Sequence, residues 1–236
     1  MPVIQMENKY RDISNYISKV FERQIILYVL LGILIALVYR GLGIPGILAG
    51  RLMGIATETW LYVSLAIAIA HHTYVWFCWR MQLHFKIITN FMPKRGFHLY
   101  AAGFFILFFL RLLSILLLAI SNRGSMGANI IVLHAVSAIA AVPAVYTLYS
   151  VYKYFGLLRA TGQDHFDESY RNRPFEKRGM FKYSKNAMYT YGLLIVIIPG
   201  LLFNSRAGLV VGVFNYIYAW IHYYTLELPD IKRIYG

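Results

Sequence analysis

Long apolar runs separated by short polar segments dominate the hydrophobic pattern of this chain. A membrane-spanning helix needs about 20 mostly apolar residues, and six stretches approach that length. They are residues 24–43, 59–79, 99–120, 128–151, 187–203 and 207–226. Backbone polar groups inside lipid must be hydrogen-bonded within their own segment. The pattern therefore predicts an all-α polytopic membrane protein with about six transmembrane helices.

The fifth and sixth predicted spans are joined by a very short connection, the tetrapeptide NSRA. Such a connection predicts a tight antiparallel helical hairpin over residues 187–226. The two ends of this hairpin, near residues 185–192 and 222–230, should therefore meet on one face of the membrane. We divide the chain into an N-terminal four-span membrane region, residues 1–151, and a C-terminal region, residues 152–236, with a polar loop, the hairpin and a tail.

The distribution of lysine and arginine predicts an orientation. Alternate polar segments hold eighteen and four of these residues, and Arg111 alone falls inside the third predicted span. Because basic residues accumulate on the cytoplasmic side of a membrane, both termini and the loop over 152–186 are expected to be cytoplasmic. The formal net charge of +13 then reflects topology and attraction to anionic lipid headgroups. Nucleic acid is not an expected partner.

Composition supports the membrane assignment and argues against a metal site. Hydrophobic residues make up 59% of the 236-residue chain, too many for an ordinary soluble domain. The single cysteine, Cys78, excludes an internal disulfide and a cysteine-rich metal site. Four histidines in or near the spans form no HxxxH or HExxH pair, so we expect them to bond between helices or to line a wet pocket. They are His71, His72, His134 and His222.

Arg111 is the one basic residue deep inside a predicted span. A charged side chain at that depth must face protein or water rather than lipid. Glu58, at the outer end of the second predicted span, is its expected partner, and a role in pairing two helices is the favoured interpretation.

The densest group of polar residues lies in the C-terminal region, in the loop and at both ends of the hairpin. An interfacial belt of aromatic and basic residues would explain many of the tyrosines there. It explains Asn186 and Glu227 less well, and the sequence therefore predicts a polar pocket at the membrane surface. The residues in question are His165, Asp167, Glu168, Glu176, Lys185, Asn186, Tyr189, Tyr191, Glu227 and Asp230.

Two short segments of this region resemble the integral-membrane methyltransferases, which include phospholipid N-methyltransferases and isoprenylcysteine carboxyl methyltransferases. KNAMYTYG, residues 185–192, is similar to the family's signature at the mouth of a helical hairpin, with Ala187 at the place of the usual proline. ELPDIKRIYG, residues 227–236, is similar to the segment that carries the acidic residue after the hairpin. GQDHF, residues 162–166, resembles the stretch that precedes the signature in phospholipid methyltransferases.

The resemblance implies that S-adenosylmethionine is the cofactor. Lys185 would hold its carboxylate and Glu227 its ammonium group. Tyr189 and Tyr191 would present ring faces to the sulfonium, while Asn186 would bind the adenine or the methionine moiety. The implied cofactor-binding residues are Lys185, Asn186, Tyr189, Tyr191, Gly192 and Glu227.

The implied activity is methylation of a lipid-borne acceptor, the amine of phosphatidylethanolamine or of its methylated derivatives, as in phospholipid methylation. An amine must lose a proton before it attacks, and His165, Asp167 and Glu168 are candidate bases by location. The alternatives are a carboxylate or thiol acceptor and, in another class, a transporter. The expected location is a bacterial inner membrane or the endoplasmic reticulum, with the active site on the cytoplasmic face.

Overall fold

The computed structural model describes residues 16–236, apart from the side chains of residues 171 and 172, and it is mostly helical. The principal helices are α1 (Gln24–Gly41), α2 (Thr57–Phe85), α3 (Gly96–Ser121), α4 (Ile130–Ser150), α5 (Arg206–His222) and α6 (Leu228–Tyr235). By length and composition, four apolar helices, over 16–41, 57–85, 96–121 and 130–155, can cross a membrane. The prediction of an all-α membrane protein is confirmed at this level.

The fifth predicted span is broken into short pieces. Ala187–Thr190 and Ile198–Leu202 are α-helical, and Gly192–Val196 between them is a 3₁₀ helix. Gly192 favours an interruption, and Pro199 has no N–H to donate to the preceding turn. The segment is apolar but shorter than the four long helices. The count of six spans therefore stays a prediction.

The predicted hairpin does form, and glycines allow its two arms to touch. The chain turns at residues 203–205 and returns as α5. A Cβ at Gly200 would collide with the backbone of Leu209, and one at Gly212 with the carbonyl of Val196. Only glycine permits backbones to approach this closely, so the arms pack without intervening side chains.

The bundle has two groups of helices. α2 packs along α3, and α5 packs against α1, α2 and α3. α4 packs instead on the broken fifth segment and on the 3₁₀ turn Gly179–Lys182. This arrangement leaves space between α3 and α4, which is where the candidate site lies.

One end of the bundle, which we call the far face, is closed. Asn122 donates to the carbonyls of Gly46 and Ala49, at 3.0 and 2.7 Å, and accepts from the backbone N–H of Ala207. Two-residue strands, β1 (Arg51–Leu52) and β2 (Ile55–Ala56), pair antiparallel at this end. Beneath them lies an apolar cluster whose buried members are Ile47, Leu61, Ile115, Leu118, Val196, Ala207 and Val211.

The opposite end, the loop face, carries residues 156–186 and helix α6. The loop consists of short helical turns, Leu157–Ala160, Gln163–His165, Glu168–Asn172 and Gly179–Lys182. It is fixed to the bundle at Thr161, whose carbonyl accepts from Trp79 Nε1 at 3.1 Å and from the Tyr100 hydroxyl at 2.7 Å. Gly162, at a φ of 88°, lies against the Trp79 ring, where a side chain would collide.

Candidate functional site

A cavity of about 250 Å³ extends from the loop face into the bundle between α2, α3, α4 and α5. Its size is slightly below the usual range of small-molecule pockets, roughly 300–1,000 Å³. Its walls change character with depth. Near the loop face they include Arg159, Asp164, His165, Glu227 and Tyr235, whereas deeper walls are formed by His71, His72, Phe104, Phe105, Phe108, Arg111 and His222.

Tyr189 and Glu227 bring the two ends of the hairpin together on the cavity wall. The Tyr189 hydroxyl donates to Glu227 Oε2 in a short hydrogen bond. The Tyr189 ring packs on Trp220 and Tyr223, with centroids 5.6 and 4.9 Å away. The Tyr223 hydroxyl in turn donates to Asn186 Oδ1 at 3.2 Å. Residues that are distant in the sequence thus form one polar and aromatic cluster.

A π-helical turn, Tyr223–Glu227, directs Glu227 toward the cavity. The turn lies between α5 and α6, just before Pro229. Proline has no backbone N–H and cannot continue the regular i→i−4 pattern. Single π turns inside helices are rare and occur frequently at functional sites.

Buried charges hold α6 and the loop against α2. Arg80 Nε lies 3.2 Å from Asp230 Oδ2, and neither side chain is exposed to solvent. His165 lies between two carboxylates, with Nδ1 3.0 Å from Asp164 and Nε2 3.4 Å from Asp230. The two contacts of Asp230 Oδ2 are ion pairs without hydrogen-bond alignment. The Tyr235 hydroxyl donates to the second oxygen of Asp164 at 2.9 Å.

A further contact extends this cluster to the start of α1. Arg233 donates to Asp230 at 3.1 Å and to Glu22 at 2.6 Å. Glu22 also lies 3.5 Å from Arg80. The charges therefore join the turn before α1, α2, the loop and the C-terminal helix α6 beside the cavity.

The charge state of His165 follows from these neighbours. Burial alone would lower its pKa, but the hydrogen bond to Asp164 and the negative charges of Asp164 and Asp230 outweigh burial and raise the pKa to about 9. The ordinary value is 6.5. At neutral pH the buried imidazole is therefore a cation.

We expect the protein to lose stability as pH rises from 6.5 to 9. A group with a raised pKa in the folded state stabilises fully below its unfolded pKa, and this contribution disappears as pH rises through the folded pKa. At about 1.36 kcal/mol per pH unit, the loss is up to roughly 3 kcal/mol. Melting temperatures in detergent across this range measure it. A His165→Asn variant should be less stable at pH 6 and show a flatter profile, and an unchanged slope would contradict the assignment.

Only three of the six predicted cofactor residues line the cavity. Tyr189, Gly192 and Glu227 line the cavity. Asn186 lies behind them, bonded to Tyr223. Tyr191 packs instead on the apolar cluster around Val151, Met180 and Phe181, and Lys185 is exposed and does not line the cavity.

Of the three predicted bases, only His165 reaches the cavity. The Asp167 side chain accepts from the Ser169 N–H at 2.9 Å and caps the next turn. Glu168 is exposed and pairs with Lys86 at 3.0 Å. Catalysis by Asp167 or Glu168 stays a prediction that this geometry does not favour.

The expected pairing of Arg111 with Glu58 is wrong. Glu58 accepts from the Tyr62 hydroxyl at 3.3 Å, whereas Arg111 donates to Asn215 and contacts His72. Glu58 and His72 are fourteen residues apart on α2, which corresponds to about 21 Å at 1.5 Å per residue. Glu58 therefore lies too far along the helix to reach Arg111.

The sequence pattern does not indicate several residues that shape the site. They are Arg80, Asp164 and Trp79, whose ring stacks on His165 with centroids 4.2 Å apart. A signal existed for Arg80, since an arginine directly after an apolar run is expected to have a specific partner. Nothing in the local pattern indicates that this partner is Asp230.

Neither a metal site nor a similar protein identifies the function of this cavity. Across residues 16–236, no three histidine, cysteine or acidic side chains are grouped as metal ligands. His134 lies away from the cavity, with Nε2 3.1 Å from the Leu202 carbonyl oxygen. No family model, characterised protein or solved structure matches the chain.

Proposed function

We propose that the protein is a methyltransferase that uses S-adenosylmethionine to methylate a lipid-borne acceptor, the amine of phosphatidylethanolamine or of its methylated derivatives. The observation that carries this proposal is a cavity with a polar mouth and an aromatic deeper wall, between helices long enough to cross a membrane. Three of the residues on which the family resemblance rests, Tyr189, Gly192 and Glu227, line that cavity. A reaction between a water-soluble donor and a lipid acceptor needs such a site.

The residues on the wall fit the donor's chemistry. S-adenosylmethionine supplies an electrophilic methyl group on a positively charged sulfur. The Glu227 carboxylate would bind its ammonium group, and the ring of Tyr189 would face the sulfonium. The hydrogen bond between the Tyr189 hydroxyl and Glu227 holds both side chains in place. Positioning of this kind contributes much of the rate in a displacement reaction.

The lipid acceptor has a route from the side of the bundle. Phe105 on α3 and Leu148 on α4 both line the cavity, yet 38% and 39% of their surfaces are exposed. Since α3 and α4 each pack mainly on other elements, the space between them would admit an acyl chain. The headgroup would then meet the donor without leaving the membrane.

His165 would act through its position rather than as the base. A general base must be deprotonated at the working pH, and His165 is a cation there because its pKa is about 9. Its charge would instead hold Asp164, on the cavity wall, and Asp230, behind it, in place.

The geometry favours an enzyme over a transporter. A transport pathway needs polar groups from one face to the other, through Arg111 and His134. His134 is outside the cavity, and between Arg111 and the far face lies the apolar cluster that contains Leu61, Ile115 and Leu118. A cavity that opens at the loop face and between α3 and α4, and that ends at this apolar cluster, is suited to binding and reaction.

Labelled methyl transfer tests the proposal. Purified protein in nanodiscs should transfer label from S-adenosylmethionine to phosphatidylethanolamine. Tyr189→Phe should lower kcat/KM by about 10-fold or more, because a bond to a charged group contributes about 1.5–3 kcal/mol. Lys185→Ala, outside the cavity, is the matched control and should behave as the parent. Transfer of label to an isoprenylcysteine or a small thiol instead would change the proposed acceptor. If none of these acceptors receives label, the proposal is overturned.

The proposed orientation places the loop face and both termini in the cytoplasm of a bacterial cell, or on the cytoplasmic side of the endoplasmic reticulum. In a Cys78→Ala background, Glu168→Cys should react with an impermeant thiol reagent only after the membrane is opened. Arg123→Cys, on the far face, should react with the same reagent without opening the membrane. The test uses intact bacterial cells or, for the endoplasmic reticulum, sealed vesicles whose lumenal side faces outward. The reverse labelling pattern would contradict the charge-based orientation and the location of the site.

A further inference from the structure

The deep end of the cavity is built around a buried guanidinium. Arg111 is 2% exposed, yet it lines the cavity. Its Nε donates to Asn215 Oδ1 at 2.5 Å and its Nη2 to the Asn215 carbonyl at 3.0 Å. Nη1 lies 3.3 Å from His72 Nε2, which accepts because a guanidinium has only donors. Arg111 is thus held rigidly from one side.

These contacts hold the charge without neutralising it. Asn215 and an accepting His72 are neutral, and within residues 16–236 no carboxylate lies at ion-pair distance from Arg111. An isolated ion in such surroundings costs several kcal/mol unless an opposite charge joins it. A role in helix pairing would be served equally well by a neutral side chain. The positive charge at this depth therefore indicates a ligand.

Neighbouring histidines have unused hydrogen-bonding capacity. His71 is 3% exposed and lines the cavity, and neither of its ring nitrogens has a hydrogen-bond partner. Nδ1 of His222, on the same wall, also has no partner. Native proteins rarely leave buried polar atoms without partners. The His72 ring lies 5.7 Å from the His71 ring and 4.4 Å from the His222 ring, centroid to centroid, so the three histidines stand side by side on the cavity wall.

We propose that Arg111, His71, His72 and His222 form a carboxylate-binding subsite at membrane depth. One guanidinium charge matches a monoanion. Three of its five N–H groups are used by Asn215 and His72, which leaves two for the paired oxygens of a carboxylate. His71 and His222 add donors. The aromatic wall of Phe104, Phe105 and Phe108 would exclude water and accept an apolar chain.

Two molecules could supply this carboxylate. One is S-adenosylmethionine, whose amino-acid end would lie between Glu227 and Arg111; this source rests on the proposed function. It would give Arg111 the role that the sequence suggested for Lys185, which does not line the cavity. The other is a membrane-borne acid that arrives between α3 and α4 and does not depend on methyl transfer.

Calorimetry with purified protein separates the two sources. In the first arm, the parent should bind S-adenosylmethionine about 10–100-fold more tightly than its decarboxylated analogue, as expected for a charge-assisted bond, and Arg111→Gln should abolish the difference. In the second arm, decanoate should bind more tightly than decanol by a similar factor and lose this advantage in Arg111→Gln. Arg123→Gln, on the far face, is the control and should behave as the parent.

A second variant guards against misfolding of Arg111→Gln. His71→Phe keeps an aromatic ring against Phe104, from which the His71 centroid is 4.8 Å away, and should weaken carboxylate binding about 2–10-fold. A carboxylate preference that depends on Arg111 or His71 in either arm supports the subsite. Absence of that dependence in both arms overturns it. If the parent does not bind S-adenosylmethionine but prefers decanoate to decanol through Arg111, the proposed function is rejected and the subsite is supported.

Discussion

Asp230→Ala should lower the free energy of unfolding by about 3–5 kcal/mol, the typical cost of removing one partner from a buried ion pair. The Asp230 carboxylate lies 3.2 Å from Arg80 and 3.4 Å from His165, and both of these side chains are buried. Without it, Arg80 keeps a carbonyl contact at Lys19 and a more distant carboxylate at Glu22. The buried cations Arg80 and His165 would then both lose their contact with Asp230, and burying these less compensated charges costs free energy.

Equilibrium unfolding in detergent micelles measures this loss. Glu168→Ala is the matched control, because it removes an ion pair with Lys86 that is more than half exposed and therefore contributes about 0–1 kcal/mol. The double variant Arg80→Met, Asp230→Leu should recover part of the loss, since it removes the stranded charge. Equal losses for Asp230→Ala and Glu168→Ala would show that the buried cluster contributes no special stability.

Glu227→Gln should weaken the binding of S-adenosylmethionine by about 10–150-fold, which corresponds to the 1.5–3 kcal/mol of a hydrogen bond between charged groups. Glutamine keeps a side-chain oxygen that accepts from the Tyr189 hydroxyl, so the contact between the hairpin ends should persist. The change removes the negative charge that the donor's ammonium group requires.

Calorimetry and melting temperature together test this prediction. The variant should melt close to the parent while its affinity for the donor falls. Glu176→Gln serves as a control, because Glu176 pairs with Arg178 outside the cavity. A folded Glu227→Gln protein with the parent's affinity would remove Glu227 from the donor site.

Local properties of the chain were sufficient for its helical architecture. The first four predicted spans correspond to helices of spanning length, although the second continues to Phe85 rather than ending near residue 79. The short NSRA connection correctly indicated that the arms of the hairpin pack together. The breaks in the fifth segment also have a local cause, in Gly192 and Pro199. Hydropathy averaged over a long window does not detect such breaks.

The candidate site was predicted in part, and the reason is geometric. Tyr189 and Glu227 meet on the wall as expected. Lys185 is only four positions before Tyr189, yet it precedes the helical turn Ala187–Thr190 and is exposed. Asp167 is two positions after His165, but its side chain caps a turn. Proximity in sequence does not determine which way a side chain points.

The sequence by itself determined that the chain is an all-helical membrane protein, because the length of an apolar run is a property of consecutive residues. Only the tertiary structure decided the partners of the charges. Arg80 pairs with Asp230, and Arg111 with Asn215 rather than Glu58. Each partner is contributed by a distant helix, and the depth and rotation at which helices pack decide which polar groups meet. An arginine inside or directly after an apolar run therefore indicates that a partner is needed, but the packing of the helices determines which residue it is.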